Sequence, residues 1–103
     1  MSYKLEKERL KRWSEEVLTR DGRRCRMCKK LPKKPNAHHL IPRIIKETRF
    51  DLQNGITLCA YCHRFSKTSP HQNAMAFTKW LETYEPYLFN YLEEKLIELR
   101  IYE

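Results

Sequence analysis

Seven residues in this 103-residue chain combine types and spacings that can do chemistry: Cys25, Cys28, Cys59 and Cys62, and His38, His39 and His63. The cysteines form two C-x-x-C pairs, with 30 residues between Cys28 and Cys59. Each short pair offers two thiolates to one ion. Tetrahedral zinc takes four ligands, so neither pair completes a shell alone. A single four-sulfur zinc site would clamp the basic N-terminal segment to the segment that begins at Cys59. In small zinc domains such binding contributes on the order of 10 kcal/mol or more to folding. A thioredoxin-type redox role needs a strand-helix-strand setting that is absent here. An iron–sulfur cluster is the alternative that the ligand softness allows. With sulfur filling the zinc shell, the histidines are left for other work. On a strand, His38 and His39 point to opposite faces. One can ligate a metal together with His63 while the other faces a cleft as a base, and imidazole suits both roles near neutral pH.

The elements that must position these residues are set by periodicity and punctuation. Leu5, Leu10, Trp13, Val17 and Leu18 fall three to five apart for the most part, which predicts a helix over 3–20 with a buried stripe. Asp21-Gly22 supplies its stop. Pro32 and Pro35 exclude helix and central strand from the loop behind the first cysteine pair. Residues 36–41 read as a short strand that Pro42 ends, 43–53 as an irregular connection, and 55–58 as the returning strand. Residues 59–67 have the composition of a helix, closed by Ser69-Pro70. A helix over 73–84 carries Phe77, Trp80, Leu81 and Tyr84. Pro86 starts another, with Tyr87, Leu88, Tyr91, Leu92, Leu96 and Leu99 as core or partner surface. The expected fold class is small α+β.

Length allows one domain, 1–103, and the charge bears on its partner. Lys and Arg outnumber Asp and Glu by 21 to 13, a net charge of +8. Residues 1–35 carry 13 basic against 5 acidic side chains, and residues 71–103 carry 3 against 6. A polyanion, with nucleic acid ahead of an anionic membrane, is the expected partner of the first two thirds. The acidic final third is expected to turn away or to meet a protein. Arg23, Arg24, Arg26, Lys29, Lys30, Lys33, Lys34, Arg43, Lys46, Arg64 and Lys67 are the candidate phosphate contacts, although such runs also serve as plain solvated surface. No apolar run approaches the roughly 20 residues of a membrane span, and the first ten residues lack the apolar stretch of a signal peptide. A reducing, cytoplasmic setting is therefore expected, where cysteines serve as ligands rather than disulfides.

The motifs A-H-H-L-I-P (37–42), N-G-I-T-L-C (54–59) and C-A-Y-C-H (59–63), with Cys25 and Cys28, resemble those of the HNH endonucleases, whose fold is the ββα-metal fold. Order and spacing agree, with 15 positions from His39 to Asn54 and 9 from Asn54 to His63. Residues 71–81 look like the segment after the nuclease core in small phage-type members. The resemblance covers about residues 23–67, the zinc-stapled core. With the periodicity it divides the domain into an N-terminal helical segment over 1–22, that core, and C-terminal helices over 71–103. It implies that His39 is the general base, that Asn54 pins the loop between the strands, and that His38 and His63 bind one divalent ion, magnesium or manganese. The implied reaction is hydrolysis of DNA phosphodiesters, leaving 5′-phosphate and 3′-hydroxyl ends. A phage packaging or other protein partner would then meet the C-terminal third. Some members carry a further ligating histidine one helical turn on, where this chain has Lys67. His71 falls outside the motif and is read as structural. The alternative is a zinc-stapled nucleic-acid-binding module without catalysis, which leaves the histidine pair and Asn54 without work.

Overall fold

The first helix, α1, spans Tyr3–Arg20, with the Ser2 hydroxyl accepting from the Leu5 N–H at 3.2 Å to cap it. Trp13, Val17 and Leu18 are buried, whereas Leu5 remains exposed. The cause is a mismatch of lengths. An 18-residue helix runs about 27 Å, and four-residue strands run only about 13 Å. Gly22, at φ +64°, ends α1. The Arg23 N–H returns to the Leu18 carbonyl at 2.7 Å and the Gly22 N–H to that of Thr19 at 3.1 Å, the paired bonds of a glycine-terminated helix.

The computed structural model describes residues 2–100; Met1 and residues 101–103, which the expected 1–103 domain includes, lie outside the described residues. After α1 come β1 (Asn36–His39), two short 3-10 turns (Lys46–Thr48 and Leu52–Asn54), β2 (Gly55–Leu58), a π-helical turn (Tyr61–Phe65), α2 (Ala74–Tyr84) and α3 (Pro86–Glu98). The two strands pair antiparallel, with Asn36 opposite Leu58, Ala37 opposite Thr57, His38 opposite Ile56 and His39 opposite Gly55. The chain is a small α+β protein with a two-stranded sheet flanked by helices.

β2 is buried on both faces. Gly55 and Thr57 meet α1, with the Thr57 hydroxyl 3.4 Å from the Val17 carbonyl. Ile56 and Leu58 join Cys25, Cys62, Phe77, Leu81 and Leu88 in the core on the other face. Two elements depart from expectation. β1 stops at His39 rather than Ile41, where the buried Asn54 side chain takes over the Ile41 backbone. The helix expected over 59–67 is a five-residue π turn, closed by the Ser66 N–H on the Tyr61 carbonyl at 2.9 Å. Within the turn only Cys62 is buried, while Tyr61 and Phe65 are 64% and 66% exposed. Helical composition without an apolar face to pack does not sustain a short helix.

Candidate metal centre and active site

Cys25 and Cys28 sit in a tight knuckle made possible by Lys29 at φ +67°, with the Cys25 N–H donating to the Lys30 carbonyl at 2.9 Å. Cys59 leaves β2 and Cys62 sits in the π turn. All four Sγ atoms lie within 4.8 Å of one another. The Cys28–Cys59 Sγ separation is 3.7 Å; sulfurs bound to tetrahedral zinc at about 2.3 Å would stand about 3.8 Å apart. The N–H groups of Cys28 and Cys62 each donate to the preceding knuckle sulfur, Cys25 Sγ and Cys59 Sγ, at 3.5 Å. Burial alone would raise the Cys25 thiol, but backbone N–H donors from Cys28, Cys59 and Met27 outweigh it and bring it down to about 7. Burial and the neighbouring sulfurs push Cys28 and Cys62 up. A bound cation removes that mutual repulsion, so the donor set and its geometry fit zinc.

The alternation of β1 separates the two adjacent histidines. His38 faces α2, edge-on to Phe77 at 5.8 Å between ring centres. Its Nδ1 lies 3.2 Å from His63 Nε2 on the π turn. His71, from the turn that leads into α2, brings its Nε2 to 3.0 Å from the same His63 atom. Burial, then the neighbouring imidazoles, lowers His38 to about 3; burial, then His71 and the Arg64 charge, lowers His63 to about 4. Both rings are therefore neutral at pH 7, with lone pairs to offer a cation. His39 faces α1, where Trp13 stacks on it with centroids 3.7 Å apart and 11° between planes. His39 Nε2 lies 2.9 Å from the Arg49 carbonyl. A carbonyl only accepts, so Nε2 carries the proton and Nδ1 keeps the lone pair. Burial, opposed by that bond and helped by Arg43 and Arg49, lowers the His39 pKa. A cleft of about 340 Å³ is lined by His38, His39, His63, Leu10, Trp13, Ser14, Ala37 and Arg43.

Asn54 is fully buried and holds the segment after His39 in place. Its Oδ1 accepts from the Ile41 N–H at 2.6 Å, and its Nδ2 donates to the carbonyls of Ile41 and Thr48 at 3.1 and 3.0 Å. The loop that supplies the Arg49 carbonyl to His39 is thereby fixed at both ends. Residues 25–68 match the family model of the HNH endonucleases. This stretch is therefore similar to an HNH domain. No curated protein and no solved structure gives a match.

Two residues that complete the geometry lie outside the matched HNH segment. Trp13 reads in the sequence as a core residue, and helical register cannot say what a buried ring rests on. His71 carries only one sequence signal, being the remaining histidine eight positions after His63. In and beside the matched segment, Arg24, Lys29, Lys30, Lys33, Lys34, Arg43, Lys46, Arg64 and Lys67 are exposed. Arg23 is exposed and pairs with Glu15 at 3.1 Å. Arg26 differs from the rest: its guanidinium donates to Asp21 at 2.7 Å and pairs with Glu85, whose side chain is buried. Its charge is matched inside the protein, and Glu85 is an acidic residue of the final third that turns inward.

Proposed function

We propose that this chain is a metal-dependent DNA endonuclease that hydrolyses phosphodiester bonds to 5′-phosphate and 3′-hydroxyl ends. The observation that carries the reading is the state of His39. Its Nε2–H is committed to the Arg49 carbonyl, so the unprotonated Nδ1 is the atom that takes a proton from the attacking water. Trp13 on one face and the Asn54-held loop at the ring edge keep that imidazole from rotating. His38 and His63, across the strand from His39, hold one divalent ion. When bound, the ion supplies Lewis-acid stabilisation of the leaving 3′ oxygen and a template for the scissile phosphate. Arg43 lines the same cleft and stands where it can meet a phosphate oxygen. The exposed lysines and arginines add affinity that does not depend on base sequence and weakens with salt.

The test is nicking of supercoiled plasmid DNA by the wild type and by His39→Ala. The variant is expected to lose roughly 10²- to 10⁴-fold in rate, with zinc content and DNA affinity retained. Undiminished cleavage would remove His39 as the base.

A further inference from the structure

Three imidazole nitrogens converge on one point in the HNH site, and hydrogen bonding does not account for it. His63 Nε2 lies 3.2 Å from His38 Nδ1 and 3.0 Å from His71 Nε2. A ring nitrogen carries one in-plane lone pair or one proton. His63 Nε2 therefore has a single hydrogen bond to give or receive, yet it has two close partners. A shared cation satisfies all three. With metal–nitrogen distances of about 2.0–2.1 Å, neighbouring ligand nitrogens stand about 3.0 Å apart at right angles and about 3.4 Å apart in a tetrahedron. The observed separations fall within that span.

We infer that His71 is a third protein ligand of the divalent ion, and that the three-imidazole set takes a late first-row ion such as nickel, cobalt or zinc ahead of magnesium. The inference rests on His38 and His63 being ligands. The convergent group contains three histidines and no carboxylate. Imidazole suits zinc, nickel and copper, whereas magnesium takes oxygen donors and keeps its waters. His71 sits on a built turn rather than a loose one. The Ser69 hydroxyl accepts from the Gln72 N–H at 2.9 Å, the Ser69 carbonyl accepts from Asn73 at 2.9 Å, and the Gln72 amide donates to the Arg64 carbonyl at 2.9 Å. His71 is exposed, so an ion can reach the site from that side. Binding ties the turn that leads into α2 to β1 and the π turn. The ion is thus a second staple, made by ligands other than the cysteines.

Calorimetric titration of the zinc-filled protein with nickel tests this without reference to cleavage. The wild type is expected to take one nickel per chain and to show no comparable affinity for magnesium. His71→Ala should bind nickel about 100-fold more weakly, since even outer-shell changes at metal sites cost up to about that factor. Because His71 is exposed, the variant should melt with the wild type before nickel is added. Long-range proton–nitrogen spectra after one further equivalent of zinc should show His71 Nε2 shifting together with His38 Nδ1 and His63 Nε2. Equal nickel affinity in wild type and variant, or an unshifted His71, overturns the inference and leaves the nuclease reading standing. If no ion binds beyond the cysteine site, both fall.

Discussion

At the scale of single residues, Asn54 shows how a buried polar group serves geometry. Its amide makes three hydrogen bonds to backbone on either side of the 41–48 segment, and its side chain is fully enclosed. Removing it strands one buried N–H and two carbonyls, each costing about 1–3 kcal/mol where water cannot enter. Asn54→Ala is therefore expected to lose about 2–4 kcal/mol in urea unfolding of the zinc-loaded protein, with cleavage falling further than DNA affinity. A variant as stable and as active as wild type would show that the loop holds itself. His39 shows the complementary point. Which nitrogen bears its proton is decided by a carbonyl ten positions away, not by the ring itself.

At the scale of elements, β2 is the piece against which everything else is placed. Its pairing with β1 sends His38 to the α2 side and His39 to the α1 side. Gly55 allows α1 to approach closely enough for Trp13 to cover His39. A Cβ added at Gly55 would lie 2.5 Å from Val17 Cγ2 and 2.7 Å from Trp13 Cζ2. Gly55→Ala must therefore push α1 outward, at about 1–3 kcal/mol for overpacking a core. The displaced Trp13 should also slow single-turnover cleavage while leaving DNA binding near the wild-type value. Unchanged melting temperature and rate would mean that α1 does not position the histidine. The π turn belongs at this scale too. Its wider backbone ring presents Cys62 inward to the sulfur cluster and His63 towards β1 from consecutive positions.

At the scale of the whole molecule, an ion-pair chain joins parts that are distant in sequence. The Asp21 carboxylate, with no exposed surface, accepts from Arg20 at 2.8 Å, Arg26 at 2.7 Å and the Thr57 N–H at 3.0 Å; Arg26 continues to Glu85 between α2 and α3. Burial alone would raise the Asp21 pKa, but the Arg20 and Thr57 hydrogen bonds and the Arg20 charge outweigh it and hold it low. This network, beside the cysteine cluster, fixes α1, the first knuckle, β2 and the C-terminal helices to one another. Breaking a buried pair costs about 3–5 kcal/mol. Here both arginines keep some contact with water, at 25% and 33% exposure, and can rehydrate. Asp21→Asn should accordingly lose about 2–3 kcal/mol at pH 7, measured by urea unfolding with zinc bound. A loss below about 0.5 kcal/mol, the range of ordinary surface changes, would rule the network out as a clamp. Among the described residues no helix is long and apolar enough to cross a membrane.

Sequence by itself determined what local covalent geometry controls. Two C-x-x-C knuckles can only chelate in pairs, adjacent strand residues must face opposite ways, and Asp21-Gly22 must end a helix; the HNH order of motifs rests on the same short spacings. Tertiary structure alone decided what depends on packing between distant segments. It placed Trp13 on His39, 26 positions away, and brought His71 to the His38–His63 pair. It also took Arg26 out of the open basic surface by setting Glu85 beside it. Replacing the expected 59–67 helix by a π turn has the same origin, because composition reports helix propensity while burial of a face decides whether the helix forms. Ligand types and their spacing are written along the chain. Where separate ligands meet is set by how α1, the sheet and α2 pack.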